Sequence, residues 1–294
     1  MTFFRYPGGK GKLLPSILLR INRAFIETRS NSYCEPFFGG GAIGLEVLGN
    51  LEAMSRGPVK VILGDMDKGL ACLWLSIITE PDELKKMVRE LSPSTETFYQ
   101  FKEDLLGGGG GDSVVETGFK KLVCHQLSFS GLGTRSGGPL GGKDQESKYK
   151  VDCRWSPDRI CASVDRLNRL FVSRGVKTFL QCDFEESIRS APNALLYLDP
   201  PYYQKGPDLY QHFFTDSEHE RLADLLKTLR QPWVLSYDDC QEIRELYDWA
   251  DIQTLAVGYS IAGATTKQEL LISNHANSRA KDRPIYSEGV LCLA

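Results

Sequence analysis

Ala194-Leu-Leu-Tyr-Leu198 is an unbroken apolar run that stops at Asp199-Pro200-Pro201-Tyr202-Tyr203. A run this short, with no polar alternation, is a strand covered on both faces, as in parallel sheets flanked by helices. Comparable strands are predicted at Ser32–Glu35 and Val59–Leu63, with helices over Ala42–Leu48 and Gly69–Ile78. The same rhythm returns late in the chain, with buried strands at Val176–Gln181 and Ala194–Leu198. Further strands are predicted at Trp233–Tyr237, Thr254–Val257 and Glu269–Ser273. Thr215-Asp-Ser-Glu218 has the spacing of a capping box and opens a helix through Leu229. This βα alternation predicts an α/β fold built on a parallel sheet.

Between the two βα parts the pattern changes. Asp82–Leu91, Thr95–Leu106 and Val115–Ser128 read as helices, and Ser156-Pro157 opens another that runs to about Val172. The five glycines Gly107–Gly111 and the polar loop from Gly131 to Lys150 interrupt them. So many glycines do not build a packed core; they make a mobile or ligand-shaped loop. The expected organisation is a catalytic α/β domain over 1–79 and 166–294, carrying a mostly helical insertion over 80–165.

Charge is distributed unevenly. The 294-residue chain has a formal net charge of −3, yet Asp112 to Lys177 holds 12 Lys or Arg against 7 Asp or Glu, a local balance of 12 − 7 = +5. A basic segment in an acidic protein is either a phosphate-facing surface or a solvated face with chance asymmetry. No run of about 18 apolar residues is present to span a membrane. The first residues, MTFFRYPGGKGKLL, lack a secretory core and cleavage site. Eight cysteines without a CxxC pair, far from the four histidines, are expected to be free thiols in a reducing cytoplasm, with no metal.

The chemistry-bearing residues sit at strand ends. In open parallel sheets ligands bind at the carboxyl edge, which is where Asp199-Pro200-Pro201-Tyr202 falls. The prolines fix the backbone and remove N–H donors, so nearby carbonyls face a substrate as acceptors. Asp199 and the Pro200 carbonyl together would accept both hydrogens of an amine and aim its lone pair, while Tyr202 offers a face for stacking a base. A plain proline turn after a strand is the bland alternative. Cys34-Glu-Pro-Phe-Phe-Gly-Gly-Gly-Ala-Ile-Gly44 joins a strand to a helix through a glycine turn suited to a nucleotide-like ligand. It departs from GxGxxG, although such a turn could also serve a dinucleotide. Gly64-Asp65-Met66-Asp67 ends the next strand, where an acid accepts from ribose hydroxyls. Asp183 and Phe184 end the strand before the DPPYY strand; they border an adenine, or Asp183 simply caps a helix. Arg5-Tyr-Pro-Gly-Gly-Lys10 lacks the GxxxxGK[ST] spacing of a phosphate loop. It is a segment that packs on a cofactor and reaches DNA, or else a flexible terminus. His125 and His212 are read as structural or substrate-adjacent.

Taken together, PGGK, EPFFGGG, GDMD, CDF, DPPYY and the late Tyr259…Lys267-Gln-Glu-Leu-Leu-Ile272 stretch resemble the Dam-like class of DNA adenine methyltransferases, in that family's order and over nearly the whole chain. The resemblance implies a Rossmann-like methyltransferase fold that binds S-adenosylmethionine. By motif position, Tyr6 and Lys10 would lie at the cofactor and near the target base. Phe37, Phe38, Gly39 and Gly41 would form the cofactor's turn, Asp65 would hold its ribose, and Asp183 and Phe184 its adenine. Asp199, also beside the cofactor, would form the base pocket with Pro200 and Tyr202.

Relatives that read GATC carry a Gly-Phe-Asn-Pro stretch where this chain has Gly131-Leu-Gly-Thr-Arg-Ser-Gly-Gly-Pro-Leu-Gly-Gly142, which is similar to a phage or prophage branch. The expected activity is transfer of a methyl group to the 6-amino group of an adenine rotated out of double-stranded DNA. Arg135, Lys143, Lys148, Lys150 and Arg154 would contact phosphates or base edges. A cognate restriction endonuclease is compatible with this reading. The alternatives are a cytosine 4-amino methyltransferase, an RNA adenine methyltransferase and a degenerate DNA-binding module.

Overall fold

In a computed structural model the protein is described over residues 3–7, 10–55, 57–108, 111–204, 206, 212–259 and 265–274. Seven strands form one sheet: β1 Ser32–Glu35, β2 Lys60–Asp65, β3 Leu180–Gln181, β4 Leu195–Leu198, β5 Trp233–Asp238, β6 Asp251–Tyr259 and β7 Thr265–Ser273. Their spatial order is β3-β2-β1-β4-β5-β7-β6. The first five run parallel, and β7 joins β5 and β6 antiparallel. The chain works outward from β1 to β3 and then returns to lay β4 against the free side of β1. That reversal makes a crevice at the carboxyl ends of β1 and β4, where Rossmann-like sheets receive ligands.

The strands are short and apolar because both faces are covered. All four residues of β1 and of β4 are buried. Alternate side chains feed two cores: Tyr33, Leu195, Tyr197 and Val234 on one face, Cys34, Leu196, Leu198 and Leu235 on the other. Against the first face pack α1 Leu14–Thr28, α2 Gly44–Met54 and α3 Lys68–Thr79. Against the second lie α8 Phe184–Arg189, α9 Asp216–Thr228 and α10 Gln241–Leu246.

Two local expectations need correction. The stretch read as a strand over Val176–Gln181 pairs only at Leu180 and Gln181, against Gly64 and Asp65. Val176 and Phe179 follow directly on a left-handed turn at Gly175 (φ 65°), and their side chains are buried without strand pairing. The amphipathic helix α1 went unread. Ile17, Ile21, Ala24 and Phe25 are its buried stripe, and Pro15 stands in its first turn.

The middle third forms α4 Pro81–Glu90, α5 Thr95–Leu106, α6 Val114–Leu127, a 3-10 turn at Gly133–Arg135, and α7 Pro157–Ser173. These helices share the first core: Leu84, Val88, Phe98, Leu122, Val164 and Phe171 belong to the same cluster as Trp74 of α3. The glycine-containing loop after α6 is tied down. The Leu140 N–H donates to the Leu127 carbonyl (2.7 Å), and Gln145 bonds the Leu140 carbonyl and the Val151 N–H.

Gly118 of α6 lies flat on α3, where an added Cβ would come within 2.7 Å of the Leu73 backbone. Gly118→Ala is therefore expected to destabilise the protein by about 2 kcal/mol, the scale of overpacking, against its helix propensity. The exposed Gly49→Ala in α2, with nothing within 4 Å, should instead add up to about 1 kcal/mol. Urea unfolding of the two variants checks both signs.

Candidate functional site

The crevice is a cavity of about 320 Å³. The turn after β1 walls it on one side and the end of β4 on the other, and Phe4, Tyr6 and Lys10 close it from the N-terminal segment.

The turn after β1 is held by its neighbours. The Phe38 N–H donates to the Gly64 carbonyl of β2 (3.0 Å), and the Trp74 indole N–H donates to the Gly39 carbonyl (2.9 Å). Gly39 and Gly41 are left-handed, with φ of 50° and 71°. At Gly39 the absence of a side chain has a second use, since a Cβ there would come within 2.7 Å of the Tyr6 ring. The turn therefore carries the aromatic ring of Tyr6 on bare backbone, beside the cavity.

Asp65 fastens the turn from below. Its Oδ2 accepts from the Gly39 N–H (2.8 Å) and its Oδ1 from the Asp67 N–H (2.9 Å). Burial, reinforced by Asp67, pushes the Asp65 carboxyl up to about 7. Asp67 caps α3 and is ion-paired with Lys121 of α6 at 2.5 Å. Glu35 also faces the cavity. It accepts from Tyr33 Oη (2.7 Å), and burial holds its carboxyl well above the usual range.

Asp183 and Phe184 reach the cavity from the start of α8. Asp183 is indeed the helix cap, accepting from the Glu185 N–H, and it also takes Arg221 through both oxygens (3.2 and 2.6 Å). The same guanidinium lies 4.3 Å from the centre of the Phe184 ring. Phe37, Phe184 and Phe214 form a triangle with ring centres 5.5–5.7 Å apart. This is an apolar wall fit for a flat heteroaromatic ring.

Asp199 is the cavity's acid at the end of β4, with its side chain 24% exposed. Lys10, only 2% exposed, sits behind it and spends all three donors: on Asp199 Oδ1 (3.0 Å), Tyr202 Oη (2.7 Å) and Glu269 Oε2 (3.1 Å). Tyr202 in turn donates to Glu269 Oε1 (3.3 Å). Burial pushes the Lys10 ammonium down, but Asp199, Tyr202 and Glu269 outweigh it, and the net direction is well upward. The ammonium is therefore permanently charged. Burial raises the Asp199 carboxyl, and Lys10 and Ser236 oppose that rise.

Among the residues expected from sequence, Tyr6, Lys10, Phe37, Phe38, Gly39, Asp65, Asp183, Phe184 and Asp199 all line this one cavity. Gly41, the buried Pro200 and Tyr202 stand just outside the lining. His212 lines the cavity. His125 is buried, bonds the Gly131 carbonyl through Nδ1 (2.9 Å), and is pushed down to about 4 chiefly by burial. Glu35, Met66, Phe214 and Glu218 line the cavity too, without a role assigned from sequence. Glu35 was legible inside the EPFF motif and Glu218 as the end of the capping box, whereas Phe214 lies beyond any motif.

Lys143, Lys148 and Lys150 are exposed on the loop after α6, and Arg135 is exposed on the 3-10 turn. Lys150 also bonds the Gln145 carbonyl. Arg154 points inward, donating to the carbonyls of Ser128 (3.2 Å) and Phe129 (3.4 Å), and so clamps the loop. Part of the segment's positive charge is spent internally, since Lys120 pairs with Asp104 and Asp112, and Lys121 with Asp67. Tyr259 and Lys267 lie on β6 and β7, but their side chains fall outside the described residues, as do Gly8 and Gly9.

Among the described residues no helix is long and apolar enough to cross a membrane. No group of three or more His, Cys, Asp or Glu there is arranged to hold a metal ion, and the seven described cysteines are free thiols.

The chain is similar along most of its length to known methyltransferases. A solved structure, SMU.472 in complex with SAH, overlaps 88% of this chain and 80% of its own at 8% identity and a TM-score of 0.25, too slight to bear on the fold. The Type II methyltransferase M1.LlaDCHI of Lactococcus lactis subsp. cremoris is 24% identical over 298 positions, spanning 94% of this chain and 95% of that protein. The sequence model of the D12 class of N6 adenine-specific DNA methyltransferases matches residues 6–131 and 164–261, which include every strand end that builds the cavity. With three quarters of its length inside that match, the chain belongs to the D12 class, and it is an adenine-specific DNA methyltransferase that draws its methyl group from S-adenosylmethionine.

Proposed function

We propose that the cavity between β1 and β4 holds both reactants and that Asp199 is the acceptor for the target adenine's amino group. The observation that carries this is placement. Asp199 opens into the same cavity as Asp65 and the Phe37–Phe184–Phe214 wall, so a methyl donor and an amine meet in one space.

The residues suit the donor. Phe37 and Phe184 would cover its adenine, Asp65 would accept from its ribose hydroxyls, and Tyr6, Phe38, Gly39 and Gly41 would shape the turn against it. Asp65 retains acceptor capacity for this, since each of its oxygens takes one N–H. The cavity also lines up Glu35, Asp65, Asp183 and Asp199 with Lys10 as its one lysine or arginine among the described lining, which favours a cation. S-adenosylmethionine supplies a sulfonium-activated methyl group, so the protein's own task is positioning.

Asp199 and the Pro200 carbonyl would accept the two amino hydrogens and turn the nitrogen lone pair toward the donor. Tyr202, fixed through its hydroxyl by Lys10 and Glu269, would border the base. An adenine stacked in a duplex cannot reach an acid recessed in this way. The base must therefore rotate out, at about a few kcal/mol. Lys143, Lys148, Lys150 and Arg135 would face the phosphates from the tied loop, with Arg154 holding that loop in place. The loop's Gly131–Gly142 sequence supports the phage-type branch and leaves the recognised DNA sequence open. Likeness to a Type II methyltransferase supports a cognate restriction endonuclease as partner, and the seven free thiols among the described residues suit a reducing cytoplasm.

The direct test is Asp199→Ala. Methyl transfer to adenine should fall below detection while cofactor affinity changes by less than about tenfold, an energy of roughly 1.4 kcal/mol. Transfer within tenfold of wild type would remove Asp199 from the reaction.

A second expectation follows from Asp65. Neutral below about pH 7 and ionised above it, the carboxyl accepts ribose hydroxyls and favours a cation best when charged. Its neighbour Asp67 is held below the usual carboxylate range by Lys121, so the change over this interval falls on Asp65. Cofactor affinity should therefore rise about threefold to tenfold between pH 6 and 8, and in Asp65→Asn it should be flat. Calorimetric titration at the two pH values decides it.

A further inference from the structure

Asp199 has two carboxylate oxygens, and the protein treats them differently. Oδ1 accepts from Lys10 Nζ at 3.0 Å and from Ser236 Oγ at 2.9 Å. Among the described residues no donor bonds Oδ2. Ser236 lies on β5, is 1% exposed, and has a second partner in Tyr197 Oη on β4, at 2.9 Å. Tyr197 is fully buried.

The direction of this chain follows from counting protons. A carboxylate only accepts, so the Ser236 hydroxyl donates to it. The Leu198 carbonyl, at 3.5 Å, is a weaker claim on the same proton. With its single hydrogen committed, Ser236 can only accept from Tyr197, whose hydroxyl burial holds firmly protonated. The order is Tyr197 O–H to Ser236 O–H to Asp199 Oδ1. Neither hydroxyl opens into the cavity, so whatever they do passes through Asp199.

The geometry points to Ser236, backed by Tyr197, as a positioning residue that shares Oδ1 of Asp199 with Lys10 and leaves Oδ2 to receive the target amine. This rests on the reading of Asp199 as amine acceptor. A carboxylate gripped at one oxygen from two directions cannot rotate about its Cβ–Cγ bond, so Oδ2 is held where the amine hydrogen must arrive. Positioning of this kind acts on the rate of transfer more than on binding.

The experiment compares Ser236→Ala, Tyr197→Phe, the double variant and Asp199→Ala in the full-length protein, with duplex DNA and S-adenosylmethionine as substrates. Ser236→Ala should lose roughly tenfold in kcat, the scale of one hydrogen bond to a charged group. KM for both substrates should stay within about threefold. Tyr197→Phe, which removes one oxygen and keeps the ring, should lose about threefold alone and nothing further on the Ser236→Ala background. A second readout is specific to the contact. The Ser236 hydroxyl favours ionised Asp199, so its loss raises that carboxyl, and the acidic limb of the kcat–pH profile should move to higher pH. Lys10, Glu35, Glu269, Tyr197, Tyr202 and Tyr237, the other titratable groups felt at Asp199, are unchanged in Ser236→Ala.

If Asp199→Ala stays active, the amine-acceptor reading fails and this inference with it. If Asp199→Ala is inactive while Ser236→Ala and Tyr197→Phe match wild type in kcat and pH limb, the positioning role alone is overturned. Losses that multiply in the double variant would break the chain between Tyr197 and Ser236. Should Ser236→Ala fail to fold, Tyr197→Phe decides by the same rate and pH limb.

Discussion

One buried ammonium holds the β4 end of the cavity together. Lys10 joins residues that are 189, 192 and 259 positions away in sequence, at Asp199, Tyr202 and Glu269. Removing a charge from water costs several kcal/mol unless partners replace the lost hydration, and here every one of its three protons has an acceptor. The arrangement also works in reverse. Glu35, Asp65 and Asp199 crowd one cavity, and burial drives each of the three upward. Without Lys10, Asp199 would lose the one cation among the described groups that holds its proton off. The N-terminal segment thus sets the electrostatics of the cavity as well as walling it.

The glycine turn meets a related constraint by geometry. Gly39 must be left-handed, must accept the Trp74 indole through its carbonyl, must donate its N–H to Asp65, and must lie beneath Tyr6. Any side chain would violate the first and last of these together. The turn is therefore shaped as much by the protein's own aromatic as by the ligand that a glycine-rich turn suggests. Phe38 then packs edge-on to Trp74 at 5.0 Å, so the cavity wall continues directly into the first core.

Most of this was legible in sequence, for identifiable reasons. Short apolar strands followed from Ala194–Leu198 and its companions, because burial on both faces leaves no room for polar alternation. The cavity residues stood at strand ends, where the fold type places ligands, so Asp65, Asp183 and Asp199 could be named before their surroundings were known. What sequence withheld was lateral. Ser236 and Glu269 act from β5 and β7, and their pairing with Asp199 and Lys10 exists only once the strand order is set. Helix α1 also has a sequence signature, Ile17, Ile21 and Phe25 at helical spacing directly behind the PGGK segment. Burial without pairing at Val176 and Phe179 has no signature that separates it from a strand.

The middle helices tie the loop after α6 to the wall of the cavity. Helix α6 supplies Lys121 to Asp67, two residues from Asp65 on the cavity rim, and His125 to the carbonyl of Gly131. Gly131 in turn lies against Arg5, where a Cβ would come within 2.6 Å of the arginine side chain, and Arg5 precedes Tyr6. His125 stacks between these parts, 4.9 Å from Phe4 and 5.7 Å from Tyr6 by ring centres. Burial pushes its imidazole down to about 4, which favours the neutral ring in this contact. The loop that bears Arg135 and the segment that bears Tyr6 and Lys10 are thus packed against a single rigid helix. The loop and the N-terminal wall of the cavity therefore share one support, α6.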